Sequence, residues 1–200
     1  MALTANACNT SVGRYDSLHE IGAFCNENGI WFHVDGAHGA GALISAKYRH
    51  LLSGIETADS MIWDMHKMMR TPGVCAAVLI KNHQHLDAAF QQEGDYLFHD
   101  KAQPGVDFIS RTLECTKAGL GLKCFFALAS EGTKGLAKYI ESRYDLALAA
   151  YEYINKLPDF ECAVKPQSNI LCFRMNRNDN WHLALRDRLI EEGSFYLSTA

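Results

Sequence analysis

The sequence predicts an α/β protein built on a mainly parallel sheet. Three observations carry that reading. Residues 31–35 and 60–64 are short, largely apolar runs that each end on an aspartate, Asp35 and Asp64. Runs of this kind are typical of strands buried on both faces. A helical pattern stands between an earlier strand and the first of these runs, and strand–helix–strand order makes a right-handed parallel crossover. Polar side chains then gather just past both runs, at the carboxyl ends of strands where open α/β sheets bind ligands.

Taken in order, residues 3–12 read as a strand leading into a loop, Cys8-Asn9-Thr10. Asp16 is placed to cap a helix running to Asn28, with Leu18, Ile21, Gly22 and Cys25 on one face and Gly29 as its stop. Residues 30–34 form the next strand, followed by a small-residue turn in which Gly36, Gly39 and Gly41 let the backbone approach a ligand. Residues 45–52 read as a short helix, 55–59 as a connection and 60–63 as a strand that delivers Asp64, Met65, His66 and Lys67. Residues 74–80 are expected as a buried strand and 82–91 as a helix. A long helix is expected to end near Gly132, with close packing at Gly119 and Gly121, which otherwise weaken a helix. Residues 133–156 form a second helix, with Tyr139, Arg143, Leu146 and Ala150 as its packing face. After Pro158, two strands (160–164 and 169–175), a helix (181–192) capped by Asp179 or Asn180, and the start of a further strand (193–198) are expected.

Composition removes several function classes. The 200 residues carry a net charge of −4, with a hydrophobic share of 48% that suits a real core. The pI is about 6.1 and there is no basic stripe, so nucleic-acid binding has no electrostatic support. No apolar run approaches a membrane span, and the first residues lack the pattern of a signal peptide. Seven cysteines, an odd number without a CxxC pair, argue for reduced thiols in a cytoplasmic protein and against a disulfide scaffold or zinc site. His83 and His85 make an HxH pair with no third ligand in view, so no metal site is expected.

The informative residue is Lys67, a lysine just past an apolar strand, with Asp35 at the end of the preceding one. Lysine is the Schiff-base nucleophile of pyridoxal phosphate (PLP) enzymes, and an aspartate is the partner of the pyridinium nitrogen. From spacing alone a plainer reading stays open: a strand-end aspartate in a turn, and a surface lysine beside a histidine.

The paired runs HVDGAHGAG and WDMHKMM resemble the signature of the group II PLP-dependent amino-acid decarboxylases, which act on glutamate, aspartate, 2,4-diaminobutyrate and aromatic amino acids. Both motifs match in order and spacing, and the resemblance continues through nearly the whole chain. It implies PLP fold type I (aspartate aminotransferase-like), an α/β fold seen here as a partial large domain plus an incomplete small α+β C-terminal domain. Residues 1–110 would be the C-terminal half of the PLP-binding domain with its active-site loop, 111–157 long connecting helices, and 158–200 the C-terminal unit.

Carried onto this sequence, the resemblance makes Lys67 the Schiff-base lysine and Asp35 the partner of the ring nitrogen. It sets Ala37 under the ring, His66 by the cofactor phosphate, and Thr10 near ring or substrate carboxylate. His38 stands where many relatives hold a larger aromatic residue, and is expected to fill that space. Asp64-Met65 replaces the family's Asn-Pro or Asp-Pro. The loop tyrosine that donates a proton in several relatives has no clear counterpart: Tyr96 aligns with an earlier structural position, and His99 is the substitute at hand. The family's phosphate-holding loop and its ring-stacking histidine lie upstream, so the resemblance also implies a fragment. The expected activity is decarboxylation of an L-amino acid, glutamate or aspartate first, within a homodimer. The alternatives are a non-catalytic truncated homologue or a decarboxylase of 2,4-diaminobutyrate or aromatic amino acids.

Overall fold

The computed structural model describes residues 1–90, 108, 111–114 and 116–199. Its centre is a four-stranded sheet in the order β1 (Ala2–Asn6), β2 (Trp31–Asp35), β3 (Ser60–Trp63) and β4 (Ala77–Ile80). The first three strands are parallel, with Asn6 opposite Asp35 and Asp35 opposite Ile62. Their carboxyl ends therefore leave the sheet on the same side. β4 runs antiparallel to β3. It carries the expected apolar residues but is not buried: Val78 is 63% and Leu79 44% exposed. The reason is that no described element covers those side chains.

Helix α1 (Leu18–Asn28) joins β1 to β2, buries Leu18, Gly22 and Cys25, and stops at Gly29 with φ 61°. Phe32 of β2 packs toward Gly22, where an added Cβ would meet the Phe32 ring at 3.2 Å. Asp16 does not cap this helix. Its carboxylate accepts instead from the Asn6 backbone N–H at 2.7 Å and the Asn6 side-chain amide at 3.3 Å, which fastens the end of β1. On the opposite sheet face the Trp31 indole donates to Ser60 Oγ at 2.9 Å, and His33 Nδ1 lies 2.7 Å from the same oxygen. His85, on α2 (Gln84–Phe90), stands edge-on to Trp31 with ring centres 5.0 Å apart.

Between β2 and β3 the chain makes three 3₁₀ turns, Gly39–Ile44, Arg49–Leu52 and Ile55–Thr57, rather than one helix over 45–52. Ser45 explains the break. Its hydroxyl accepts from the Lys47 and Tyr48 N–H groups, each at 3.1 Å, and donates to Glu141 at 2.6 Å. A serine satisfying local N–H groups competes with continuous helix.

Helix α3 (Leu120–Ile154) begins later than the sequence suggests and breaks at Gly132, which has φ 66° and ψ 166°. No described residue lies against Gly119 or Gly121, so the close packing expected there is absent among the described residues. Beyond the break the buried stripe is Leu136, Ile140, Tyr144 and Ala147, one position off the predicted face. Tyr139 instead carries the Arg70 and Arg143 guanidinium groups over its ring, at 5.1 and 5.4 Å. The core is continuous from α1 and the sheet through the 3₁₀ turns to this stripe.

The C-terminal residues form an antiparallel pair, β5 (Phe160–Cys162) and β6 (Phe173–Met175), and helix α4 (Asp179–Glu191). The cap of α4 is Asn178, whose side-chain oxygen accepts from Trp181 N at 2.9 Å, not Asp179 or Asn180. Residues 194–199 are not a strand.

Candidate active site

Backbone hydrogen bonds lock the three parallel strand ends together. Ala7 N, just past β1, donates to Asp35 O at 2.8 Å; Gly39 N returns to Ala7 O at 3.1 Å; Asp64 N, just past β3, donates to Ala37 O at 3.1 Å. The turns carrying Cys8, Asp35 with Ala37, and Asp64 with Lys67 thus form one rim. Glycine makes the join possible. A Cβ on Gly39 would sit 2.3 Å from Ala7 O and 2.7 Å from Ala7 C, and one on Gly36 2.9 Å from Ile62 O. The close approach these glycines permit is to the chain's own backbone. Gly39→Ala is expected to cost about 1–3 kcal/mol, because backbone rather than a pliable side chain must move. A lower denaturation midpoint at unchanged slope would check it.

On the rim, Asp35 Oδ1 accepts from Ala37 N at 3.1 Å, so the turn that follows β2 fixes the carboxylate. Lys67 Nζ lies 2.9 Å from Asp64 Oδ2 and its side chain is 40% exposed. His66 Nε2 is 4.0 Å from the same oxygen. His66 Nδ1 lies 2.8 Å from Cys75 O and 3.2 Å from Cys75 N, so the backbone of Cys75 fixes the ring. The residues singled out from sequence therefore fall into one region, with the exception of Thr10. That residue is exposed on the turn beyond Cys8, and its hydroxyl makes no hydrogen bond among the described residues. Tyr96 and His99 lie outside the described residues.

Three consecutive residues of the C-terminal region reach this rim, and sequence reasoning missed all of them. Gln167 accepts from Tyr15 N at 2.9 Å, Ser168 stands near the Cys8 thiol, and Asn169 Oδ1 lies 2.6 Å from His38 Nε2. No local pattern marks such contacts, which span more than a hundred residues. Cys8 itself has φ 74°, uncommon for a side chain, and is buried. Burial pushes its thiol up; the nearby Ser168 hydroxyl and Lys67 charge pull the other way. Tyr15 donates to Gly39 O at 3.2 Å and meets Tyr144 of α3 oxygen to oxygen at 2.8 Å. Burial holds both phenols above their ordinary range, so the pair stays protonated and braces the glycine turn against α3.

The donor set has a definite chemistry. A primary amine can condense with an aldehyde, a carboxylate can hold a proton on a ring nitrogen, and an alanine methyl can lie against a flat ring. An imidazole can face an anion. Among the described residues there is no cluster that could hold a metal ion. An amine and a carboxylate delivered by the ends of parallel strands suit a chain of PLP fold type I.

Comparison with known proteins agrees. Residues 1–176 match the pyridoxal-dependent decarboxylase conserved domain. The chain belongs to the pyridoxal-dependent decarboxylase family. It is 38% identical over 160 residues to an L-aspartate decarboxylase of Metarhizium robertsii, covering 80% of this chain and 32% of the relative. It is 32% identical over 182 residues to the aromatic-L-amino-acid decarboxylase of Sus scrofa, covering 90% of this chain and 37% of that one. Among solved structures, mouse CSAD superposes with a TM-score of 0.88 at 26% identity, over 99% of this chain and 45% of its own. The chain thus spans about a third of the length of the curated relatives it matches.

Proposed function

We propose that the protein containing this chain decarboxylates an L-amino acid with pyridoxal phosphate, and that its substrate is acidic, aspartate or glutamate. The observation that carries the reading is the joint placement of Asp35 and Lys67 on a rim formed by three parallel strand ends. The donor set fits the cofactor: Lys67 for its aldehyde, Asp35 for its ring nitrogen, Ala37 for a ring face, His66 for its phosphate. When bound, the cofactor supplies an electron sink for the bond to the departing carboxylate.

The chain's own residues do the positioning. Asp64 accepts the Lys67 amine at 2.9 Å and so orients it at the end of β3. Ala37 N holds the Asp35 carboxylate in place, and a fixed charge there needs no reorganisation as the reaction proceeds. His66, anchored by Cys75, presents an imidazole beside the amine. Thr10, exposed beyond Cys8, stays in this reading only as the residue the family resemblance sets near ring or substrate carboxylate.

The acidic substrate is supported by the aspartate decarboxylase relative, which is more similar over its matched span than the aromatic enzyme. A homodimer belongs to this reading as what the family resemblance implies. Free thiols at Cys8, Cys25, Cys75, Cys124, Cys162 and Cys172 suit a reducing compartment such as the cytoplasm. Among the described residues no helix is long and apolar enough to cross a membrane.

The test is carbon dioxide release and amine analysis from a panel of aspartate, glutamate, 2,4-diaminobutyrate and aromatic amino acids. Preferred turnover of aspartate or glutamate is expected. Preferred turnover of an aromatic amino acid would overturn the substrate assignment and keep the reaction. No carbon dioxide from any member, in folded protein carrying cofactor, would overturn the reaction.

A further inference from the structure

Two thiols outside the proposed chemistry stand in contact. Cys75 Sγ and Cys124 Sγ are 3.4 Å apart, from segments separated by 49 residues. Cys75 follows the Lys67 turn and is 2% exposed. Cys124 lies near the start of α3 and is partly exposed. The Cys75 thiol also donates to Leu120 O at 3.7 Å, which seats it against the start of the helix. A disulfide closes at about 2.0 Å, so the sulfurs need approach by only roughly 1.4 Å. The same Cys75 holds His66 through its backbone, at 2.8 and 3.2 Å.

We propose that Cys75 and Cys124 are a redox modification site, a pair that closes a reversible disulfide under peroxide and ties α3 to the segment anchoring His66. Cys124 reacts first because it is the more accessible. Its sulfur attacks the O–O bond of hydrogen peroxide; the S–O bond forms, the O–O bond breaks, and the thiol becomes a sulfenic acid with release of one water. The Cys75 sulfur then attacks the Cys124 sulfur. The S–S bond forms, the S–OH bond breaks, and hydroxide leaves with the Cys75 proton as a second water. Overall two thiols lose two electrons to one peroxide. A dithiol reductant reverses the step and is itself oxidised to a disulfide. Burial, and the Cys75 thiol beside it, hold the Cys124 thiol above its ordinary range. The pair is therefore not an activated one, and oxidation calls for excess peroxide.

The purified protein is treated with hydrogen peroxide, alkylated and digested without reduction, and its peptides are mapped by mass spectrometry. The result expected is a Cys75–Cys124 linked peptide as the main oxidation product, removed by dithiothreitol. In Cys124→Ser the linked peptide is absent and Cys75 is recovered reduced. Linkage distributed over other cysteine pairs would overturn the proposal. So would Cys124 carried on to sulfinic acid while Cys75 remains free. The measurement needs neither cofactor nor substrate, so its outcome is separate from that of the decarboxylase reading.

Discussion

Lys67→Ala is expected to lower amino-acid decarboxylation by at least about a thousandfold, the scale on which enzymes lose activity when a nucleophile is removed. The fold should survive. Lys67 is 40% exposed, and what the substitution removes from the structure is an ion pair to Asp64. Pairs of this kind contribute about 0–1 kcal/mol when one partner is solvated. The two effects separate cleanly. Turnover reports the amine, and the melting temperature reports the pair. Turnover within about tenfold of the parent protein would remove Lys67 from the chemistry.

Asp35→Ala is expected to cost about 10²–10³ in turnover, the range seen when a fixed group that stabilises developing charge is lost. Here structure and chemistry are entangled, because Asp35 Oδ1 also accepts from Ala37 N at 3.1 Å. Asp35→Asn resolves them. Its amide oxygen can keep the hydrogen bond, and with it the turn after β2, while the charge is gone. A loss of turnover in Asp35→Asn as large as in Asp35→Ala assigns the effect to the carboxylate. Near-normal turnover in Asp35→Asn would assign it to the turn, and the role of ring-nitrogen partner would fall.

The parts of the fold that local chemistry dictates were legible in the sequence. Apolar runs ending on Asp35 and Asp64 marked β2 and β3, and Gly29 marked the end of α1. Their parallel pairing put the polar ends on one side, so a rim with Asp35 and Lys67 on it could be expected from the pattern, while Ala37 and His66 were expected only from the family resemblance. What was missed depended on partners far away in sequence. Asp16 looks like a cap until Asn6 offers it two donors. The face of α3 was placed one position off, on Tyr139 where the structure buries Tyr144. The Tyr144 hydroxyl is satisfied inside by Tyr15, a partner that no local pattern announces. Gln167, Ser168 and Asn169 carry no motif, and their contacts with Tyr15, Cys8 and His38 follow from tertiary packing alone. β4 shows the reverse case: its apolar pattern is real, but burial needs a neighbour that no described residue supplies.

The account stands on Lys67 as the residue that takes the cofactor. Its most direct test is to mix the purified protein with pyridoxal phosphate, reduce with borohydride and map the modified peptide by mass spectrometry. A pyridoxyl group confined to Lys67 is the predicted result. A stable adduct on another lysine, with Lys67 unmodified, would contradict it.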